Sequence, residues 1–314
     1  MPNIRYFIII AFCCLFMISC GPPKQQPSIE ISNILNLQVI SSIGPQIIGA
    51  EPLRSPRDVA VNQLGEIYIA DYGNDRVVKL DSTGAFIKEI GGFGTGDYVL
   101  SGPLDIAIDQ ISNVYVVDSG NRRVVRFDRF LNFISSETGY KDDPDVLFIR
   151  PTCIGITGRG DILIGDEGLG ACYKLDPFFA YVFEFGGREE LQPIMQPSAI
   201  SYDNRNFKIY ATDSHTSKAL IYDDFGMLLQ VFGDDILNKP SAIAISLKNG
   251  IWVGDEANGM VYCFNYRGHE IFRWHGYGGN TLGTVSGLYW DSDKLYIVDS
   301  QTSRIYITRP LTGN

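Results

Sequence analysis

The stretch PRDVAVNQLGEIYIADYGNDRVVKLDSTGAFIKEIGG, residues 56–92, contains four short apolar runs separated by turn residues. The runs DVAV, IYIA, RVVKL and FIKEI are each about five residues long, and Gly, Asn, Asp and Ser stand between them. Short runs that are rich in β-branched and aromatic residues are typical of β-strands. The stretch therefore predicts one sheet of four short strands.

The same pattern occurs six times along the chain, and an Asp ends the second run of every copy. Successive copies of this Asp are separated by 47, 48, 47, 42 and 44 residues, at Asp71, Asp118, Asp166, Asp213, Asp255 and Asp299. A Pro or Val opens the first run 14 to 16 residues earlier, at Pro56, Pro103, Pro151, Pro197, Pro240 and Val285. Such a period indicates a repeat architecture. Because the runs are almost continuously apolar, we expect each sheet to be buried on both faces, as in a β-propeller.

The sixth copy has three runs and lacks the fourth, since the sequence ends at Asn314 soon after RIYITR. A run of the missing kind, LQVISSIG at 37–44, precedes the first copy. We therefore predict that this segment completes the last sheet and closes the ring. The predicted fold is all-β, a six-bladed β-propeller of four-stranded blades over residues 31–314.

The charge of the chain limits its partners. The formal net charge is −10, and it becomes −11 without residues 1–19, in which Arg5 is the one charged residue. An acidic chain repels phosphate backbones, so nucleic acid is not expected as a partner.

The first residues predict an address outside the cytoplasm. Tyr6 to Ile18 is an apolar run that leads into MISC, with Cys20 as its last residue. The run is too short to span a bilayer of about 30 Å as a helix. It resembles a bacterial lipoprotein signal, although Met17 stands where Leu is usual. The resemblance implies a signal peptide over 1–19 and lipidation of Cys20.

Residues 20–30 then follow as a Pro-rich tether. The implied location is the cell envelope, with the protein lipid-anchored to a bacterial membrane and facing the periplasm or the exterior. The alternative is an ordinary secretory signal in which Cys20 is incidental.

The units resemble NHL repeats. Residues 56–103 match the pattern of that family along its whole length, and so do residues 103–128. Later units match less well, because the Asn at the third position after the Asp is replaced by Leu169, Thr216 and Thr302. The resemblance covers about 37–311 and implies a six-bladed propeller. It leaves the function open, since the family includes binding platforms, interaction modules and a few enzymes.

The repeated Asp is interpreted as scaffold rather than as a catalytic group. One carboxylate before each D-x-x-N turn can cap that turn through hydrogen bonds to the backbone. Of the six cysteines, Cys13 and Cys14 belong to the signal and Cys20 is the lipidation site. Cys153 and Cys172 fall on the first and third strands of one unit, too far apart for a disulfide, so they are predicted to be core residues.

Six-bladed propellers include zinc-dependent lyases, so a zinc site was considered. Such a site needs three or four convergent N or S ligands. His215, His269 and His275 fall in three different parts of the predicted fold and cannot converge. No zinc site and no catalytic residue are therefore assigned.

Calcium is the one cofactor that the sequence leaves possible. Asp58 and Asp105 begin the first strands of blades 1 and 2, beside the mouth of the central channel. Neighbouring carboxylates could bind calcium or act as an acid–base pair. The favoured alternative is that they form ion pairs with Arg57 and Arg150.

One face of the propeller is predicted to bind a ligand. This top face carries the turns between the second and third strands together with the long loops between blades. Basic and aromatic residues in this region are those expected of a recognition surface. The candidate ligand-binding residues are Arg54, Arg57, Asp58, Asp105, Arg150, Lys239, Tyr98 and Tyr277, and Phe148 is expected in a neighbouring loop. The alternative is that the basic residues only pair with Asp58, Asp105, Glu167 and Glu256.

Two functions remain possible on these observations. The first is a monomeric, lipid-anchored platform that binds a protein, peptide or glycan at its top face without catalysis. The second is a calcium-dependent hydrolase or lactonase that works at the channel mouth.

Overall fold

A computed structural model describes residues 34–44, 46–140, 147–246, 248 and 250–313. The predicted signal peptide, Cys20 and the tether lie outside these residues and stay predictions. Within the described part, the helical elements are two short 3₁₀ turns, Tyr72–Asn74 and Ser119–Asn121. No helix in this part is both long enough and apolar enough to cross a bilayer.

The strands form six antiparallel sheets of four strands, which we call blades 1 to 6. Three strands precede blade 1: β1 (Ile34–Ile43), β2 (Ile47–Ile48) and β3 (Glu51–Pro52). Blade 1 contains β4 (Asp58–Val61), β5 (Ile67–Asp71), β6 (Arg76–Leu80) and β7 (Phe86–Gly91). Blade 2 contains β8 (Pro103–Ile108), β9 (Val114–Asp118), β10 (Arg123–Phe127) and β11 (Phe133–Glu137). Blade 3 contains β12 (Pro151–Ile156), β13 (Ile162–Asp166), β14 (Ala171–Leu175) and β15 (Tyr181–Phe185).

Blades 4 to 6 continue the same order along the chain. Blade 4 contains β16 (Pro197–Asp203), β17 (Lys208–Asp213), β18 (Lys218–Asp223) and β19 (Leu228–Phe232). Blade 5 contains β20 (Pro240–Ser246), β21 (Gly250–Asp255), β22 (Met260–Phe264) and β23 (Glu270–Trp274). A two-stranded ribbon of β24 (Gly276–Tyr277) and β25 (Asn280–Thr281) follows. Blade 6 contains β26 (Val285–Asp291), β27 (Lys294–Asp299) and β28 (Arg304–Thr312), with β1 as its outer strand. The predicted six-bladed propeller is confirmed.

The blades pack face to face, and the core lies between them. The second and third strands of blades 1 and 3 are buried along their whole length, as their continuous apolar runs predict. Six hydrophobic clusters fill the six spaces between neighbouring blades. Cys153 and Cys172 are buried in the cluster between blades 3 and 4, as predicted, and no disulfide joins the cysteines of the described part.

Strand β1 closes the ring. It pairs antiparallel with β28, so the last blade takes its outer strand from the start of the described chain. The strand begins at Ile34, three residues earlier than predicted, and a bulge interrupts it between Val39 and Ser41. Leu37 and Ile43 are buried, whereas Ile40, which the bulge leaves unpaired, is exposed.

The register of the strands defines two faces of the propeller. The Asp that ends each second strand pairs with the residue that starts the third strand, as in Asp118 with Arg123. The same Asp pairs with Pro103 at the start of the first strand. These turns and strand starts therefore share one face, the top face. The turns between first and second strands and between third and fourth strands lie on the opposite face, the bottom face.

Candidate functional site

The repeated Asp connects each top turn to the loop that leads into the same blade. In blade 3, Asp166 accepts the backbone N–H of Ile149 (2.8 Å) and Arg150 (2.9 Å) from the loop, and that of Leu169 (3.1 Å) from the turn. The carboxylates with equivalent bonds in blades 4 to 6 are Asp213, Asp255 and Asp299. All of them are fully buried. The predicted scaffold role is confirmed, and it includes the loop as well as the turn.

Blades 1 and 2 use side chains where the other blades use the turn backbone. One oxygen of Asp71 accepts a hydrogen bond from a loop N–H, that of Arg54 (2.8 Å). Its second oxygen accepts hydrogen bonds from Nδ2 of Asn74 (2.8 Å) and Nε of Arg76 (2.7 Å). The corresponding donors to Asp118 in blade 2 are Ser101, Asn121 and Arg123. Neither carboxylate caps the backbone of its own turn. The prediction of a backbone cap is wrong for these two blades.

The basic residues predicted for the top face lie at the rim of the channel mouth. The guanidinium of Arg57 is 3.8 Å from the carboxylate of Glu256 and lies over the ring of Tyr72, 5.2 Å from its centroid. Lys239 forms an ion pair with the same Glu256. The side chain of Arg54 is exposed. Because Arg57 enters blade 1 and Glu256 follows a strand of blade 5, this group extends across the start of blade 6.

A second polar group joins the tops of blades 3 and 4. Arg150, whose side chain is 64% exposed, lies 3.2 Å from Glu167, and Nε2 of Gln196 donates to the same carboxylate at 3.1 Å. Ile149 and Met195 directly precede Arg150 and Gln196 and are themselves 48% and 39% exposed. We call these five residues the blade 3–4 patch.

Sequence reasoning missed the two apolar members of this patch. Ile149 and Met195 each stand two residues before the Pro that opens a first strand, as Arg54 does in blade 1. This shared repeat position was the available signal, because it places all three side chains at the rim.

The three loop aromatics do not form one surface. Tyr277 is exposed on the ribbon after blade 5. Tyr98 is half exposed, but its ring lies 6.2 Å from that of Phe133 in the outer strand of blade 2, so it is directed towards the outer edge of the propeller. Phe148 is buried, with its ring 6.2 Å from that of Tyr140. Phe148 does not join the aromatics of the predicted recognition surface, because its ring packs against Tyr140 in the core between blades 2 and 3.

The central channel contains a cavity of about 330 Å³, lined mainly by the first strands of the blades. Hydroxyl side chains cross four of the six blade junctions around it. Oγ1 of Thr152 donates to the carbonyl of Pro197 in the next blade (2.6 Å), and Oγ of Ser198 donates to that of Pro240 (2.7 Å). In the same way, Oγ of Ser241 donates to the carbonyl of Val285 (2.6 Å), and Oγ of Ser286 donates to the carbonyl of Pro56 (3.1 Å). Each hydroxyl follows the residue that opens its first strand, so a hydroxyl at this position was the signal that the sequence offered.

Carboxylates cross the two remaining junctions. Oδ2 of Asp105 accepts the backbone N–H of Ile154 in blade 3 (2.8 Å), and Oδ2 of Asp58 accepts that of Ile106 in blade 2 at a longer 3.4 Å. The Asp58 and Asp105 carboxyl groups are also hydrogen-bonded to each other. The prediction that these groups pair with Arg57 and Arg150 is wrong, since both arginines are directed to glutamates.

The two carboxyl groups share one buried site, which raises the pKa of both. Burial among the first strands, together with the neighbouring Asp105 charge, raises the pKa of Asp58 well above its ordinary value. Burial also raises the pKa of Asp105, while the hydrogen bond from Asp58 opposes this rise. The pair can therefore hold one shared proton, and the larger rise favours Asp58 as its carrier.

Gly287 of blade 6 makes the room for Asp58. A Cβ at this glycine would lie 2.4 Å from Oδ1 of Asp58 and 2.6 Å from the carbonyl oxygen of Arg57. A larger residue at this position would displace the carboxyl group from its place beside Asp105.

The described residues do not assemble a metal-binding group of three or more His, Cys, Asp or Glu side chains. His215 lies in a top turn, His269 in a bottom turn, and His275 directly after β23. These three positions do not supply the convergent nitrogen ligands that a zinc ion requires.

Comparisons with known proteins agree with this architecture. Residues 53–80, which lead into blade 1 and include its first three strands, match the model of the NHL repeat. A stretch of 129 residues is 23% identical to protein brain tumor of Drosophila melanogaster; it covers 40% of this chain and 12% of that protein.

Two solved structures share the fold at low sequence identity. A streptogramin B lyase has a TM-score of 0.63 and 13% identity, with 90% of each chain covered. The virginiamycin B lyase of Staphylococcus aureus has a TM-score of 0.60 and 14% identity, with 81% of this chain and 80% of that chain covered. At such identities the similarity is one of fold alone. The chain is thus a six-bladed β-propeller that contains an NHL repeat.

Proposed function

We propose that the protein is a lipid-anchored platform of the bacterial cell envelope, and that it binds a protein or peptide at its top face without catalysis. The observation that carries the proposal is the blade 3–4 patch, in which Ile149 and Met195 flank the Arg150–Glu167 pair. Exposed apolar side chains beside an arginine are characteristic of the anchor residues of protein interfaces. Propellers with NHL repeats commonly serve as such platforms.

Arg57 and Arg150 at the rim differ in how freely they can contact a ligand. Arg57 is engaged with Glu256 and Tyr72, whereas most of the Arg150 side chain is exposed. A ligand with some anionic character can therefore reach Arg150 without breaking a second contact. We expect Arg150 to be the stronger anchor of the two.

Site-specific photo-crosslinking in the native membrane tests this assignment. A photoreactive residue at Met195 should give a discrete cross-linked product, and the same residue at His269 on the bottom face should not. With the partner in hand, Arg150→Ala should weaken binding by about 2 kcal/mol or more. A product from His269 alone, or normal binding by Arg150→Ala, would place the interface elsewhere.

The lipid anchor has its own test. Cys20→Ser should leave the signal uncleaved or release the protein from the membrane fraction, because the acyl chains would be lost. Intact mass of the purified protein reads the modification directly. A Cys20→Ser variant that is still acylated and normally sorted would contradict the anchor.

A second candidate function follows from the carboxyl pair in the channel. Asp58 and Asp105 line a cavity large enough for a small ligand, and a protonated carboxyl beside an ionised one can work as an acid–base pair. In the calcium-dependent form of this hypothesis, both carboxylates would ligate the ion. Elemental analysis of the purified protein distinguishes the candidates: stoichiometric calcium that is lost in Asp105→Asn would favour the hydrolase or lactonase.

A further inference from the structure

Three bottom turns carry a phenylalanine at the same position. These are the turns between the third and fourth strands of blades 2, 3 and 4. Phe130, Phe178 and Phe225 are 57%, 74% and 83% exposed. Large apolar groups exposed in a repeated arrangement indicate a contact surface rather than a contribution to the core.

The turns hold these rings outward by their own hydrogen bonds. In blade 3, Oδ1 of Asp176 accepts the backbone N–H of Phe178 (2.8 Å) and of Ala180 (2.9 Å). The equivalent bonds of blades 2 and 4 are made by Asp128 and Asp223. Each ring therefore lies at the tip of a turn, and the Asp that begins the turn caps its backbone.

The turn itself does not require phenylalanine. Blade 1 has the same pair of bonds from Asp81 with Thr83 at the tip, and blade 5 has them from Asn265 with Arg267 at the tip. The three rings are thus additions to a turn that other residues form equally well.

Further apolar side chains extend the same face. They lie in the turns between first and second strands and are exposed: Leu64, Ile111 and Phe207. Together with the three phenylalanines, they place six large apolar side chains on the bottom turns of blades 1 to 4. We call these six residues the bottom apolar face.

Two acidic groups beside this face form ion pairs. Asp224 is 2.8 Å from Nζ of Lys174 and 2.6 Å from a guanidinium nitrogen of Arg159. Glu66 is 2.8 Å from Nζ of Lys79. Because the chain as a whole is acidic, attraction to a charged surface does not explain the exposed rings. The chemistry of the face fits an uncharged apolar medium.

The chain enters the propeller on this side. Ile34, the first residue of β1, pairs with Thr312 at the bottom end of β28, whereas Ile43 pairs with Ile305 near the top. Thirteen residues separate Cys20 from Ile34. Such a segment reaches at most about 50 Å when fully extended. An acyl chain on Cys20 would therefore keep the propeller within about this distance of the membrane.

We propose that the bottom apolar face rests on the lipid bilayer, with Phe130, Phe178 and Phe225 in the boundary between headgroups and acyl chains. The proposal rests on the lipid anchor of the proposed function, since the anchor supplies the second membrane contact. It places the top face, with the blade 3–4 patch, away from the membrane and open to a partner.

Lipid-dependent quenching in phosphatidylcholine vesicles tests the contact. The full chain is reconstituted with spin-labelled lipid and carries an environment-sensitive fluorophore on Phe178→Cys, with the unsubstituted chain as the labelling control. The matched control is Leu191→Cys, because Leu191 is 99% exposed in the loop between blades 3 and 4. Spin-labelled lipid should quench the probe at 178 several-fold more than the probe at 191. Equal quenching, or stronger quenching at 191, would overturn the proposal.

A triple substitution tests whether the rings make the contact. Phe130→Ser, Phe178→Ser and Phe225→Ser in one chain should lower the melting temperature only slightly, because the rings are exposed. The ring of Phe130 contacts the cations of Lys79 and Arg129, and the loss of these contacts accounts for the small decrease. The variant should reduce quenching of a probe on Ile111→Cys several-fold. The matched control replaces Phe93, Leu147 and Leu191, which are exposed in loops between blades, with Ser and should leave this quenching unchanged. Full quenching in the first variant would contradict the proposal, and so would a probe that responds to an added protein but not to lipid.

The anchor and the contact fail in different ways. Intact mass reports whether Cys20 is acylated, and quenching reports whether the face touches lipid. An acylated chain without quenching at 178 overturns the contact and keeps the anchor. A chain without acylation that is quenched at 178 supports the contact and overturns the anchor.

Discussion

Blades 1 and 2 differ from blades 3 to 6 in the groups that form hydrogen bonds at two places, around the channel and at the top turns. Around the channel, Asp58 and Asp105 bond to the next blade, whereas a Thr or Ser hydroxyl does so at the other four junctions. At the top turns, Asp71 and Asp118 bond to an arginine side chain, whereas the other four carboxylates bond to turn backbone.

The difference shows that a blade junction can be bridged in two chemical ways, by a hydroxyl one residue after the Pro or Val that opens the first strand or by a carboxyl group two residues after it. The hydroxyl of Ser198 offers its proton to a carbonyl, while the carboxylate of Asp105 accepts a proton from a backbone N–H, so the polarity of the junction is reversed. Only the carboxylate version can titrate. The two carboxyl junctions should therefore contribute to the pH dependence of stability, and the four hydroxyl junctions should not.

The largest effect is expected from removing a top-turn carboxylate that bonds to an arginine, as in blades 1 and 2. Asp118→Ala leaves Arg123 buried without its carboxylate and should cost about 3–5 kcal/mol of unfolding free energy. Asp255→Ala leaves backbone N–H groups unsatisfied and should cost about 1–3 kcal/mol. Chemical denaturation of both variants measures the difference.

A second substitution serves as the control for this pair. Arg123→Met added to Asp118→Ala removes the uncompensated cation, so part of the lost stability should return. If the double variant is no more stable than Asp118→Ala, or if Asp255→Ala is the more damaging of the two single changes, the contrast between the blades is wrong.

The next effect concerns pH. Because the pKa of Asp58 is raised in the folded protein, its protonated form stabilises the fold below about pH 4, the ordinary Asp pKa. This contribution is lost as pH rises through the raised folded pKa, at up to about 1.4 kcal/mol per pH unit. Asp58→Asn keeps an acceptor for Ile106 and a donor for Asp105 but cannot ionise.

Thermal unfolding across pH measures this effect. The melting temperature of Asp58→Asn, measured relative to that of the unchanged protein, should increase as pH rises from 4. Ser198→Ala is the comparison, and the difference between its melting temperature and that of the unchanged protein should stay constant with pH. Parallel pH profiles for Asp58→Asn and the unchanged protein would show that the carboxyl pair does not share a proton.

The smallest effect is expected at one hydroxyl junction. Ser198→Ala removes the bond to the Pro240 carbonyl and should cost about 1 kcal/mol. Ser214→Ala is a control, since its hydroxyl makes only long contacts of 3.4 Å with Gln196. Denaturant midpoints measure the loss of unfolding free energy in both variants. Equal losses would show that the hydroxyl junction does not stabilise the fold.

The repeat could be read from the sequence because its signals are local. The Asp positions, the strands around them and the closure by the segment at 37–44 all follow from apolar runs and turn residues, which act within a few positions. The bulge that exposes Ile40 could not be read in this way, because it depends on the register between β1 and β28. The same holds for Phe148, whose burial depends on its packing with Tyr140 between blades 2 and 3.

The amino-acid sequence by itself determined the number of blades, their strand order and the face on which the basic residues lie. Tertiary structure alone decided which charges meet: Arg57 reaches Glu256 four blades further along the chain, and Asp58 faces Asp105 instead of an arginine. The physical reason is range. Strand and turn preferences act between near neighbours in the chain, whereas the partner of a charged side chain is whichever group the closed ring brings within a few ångströms.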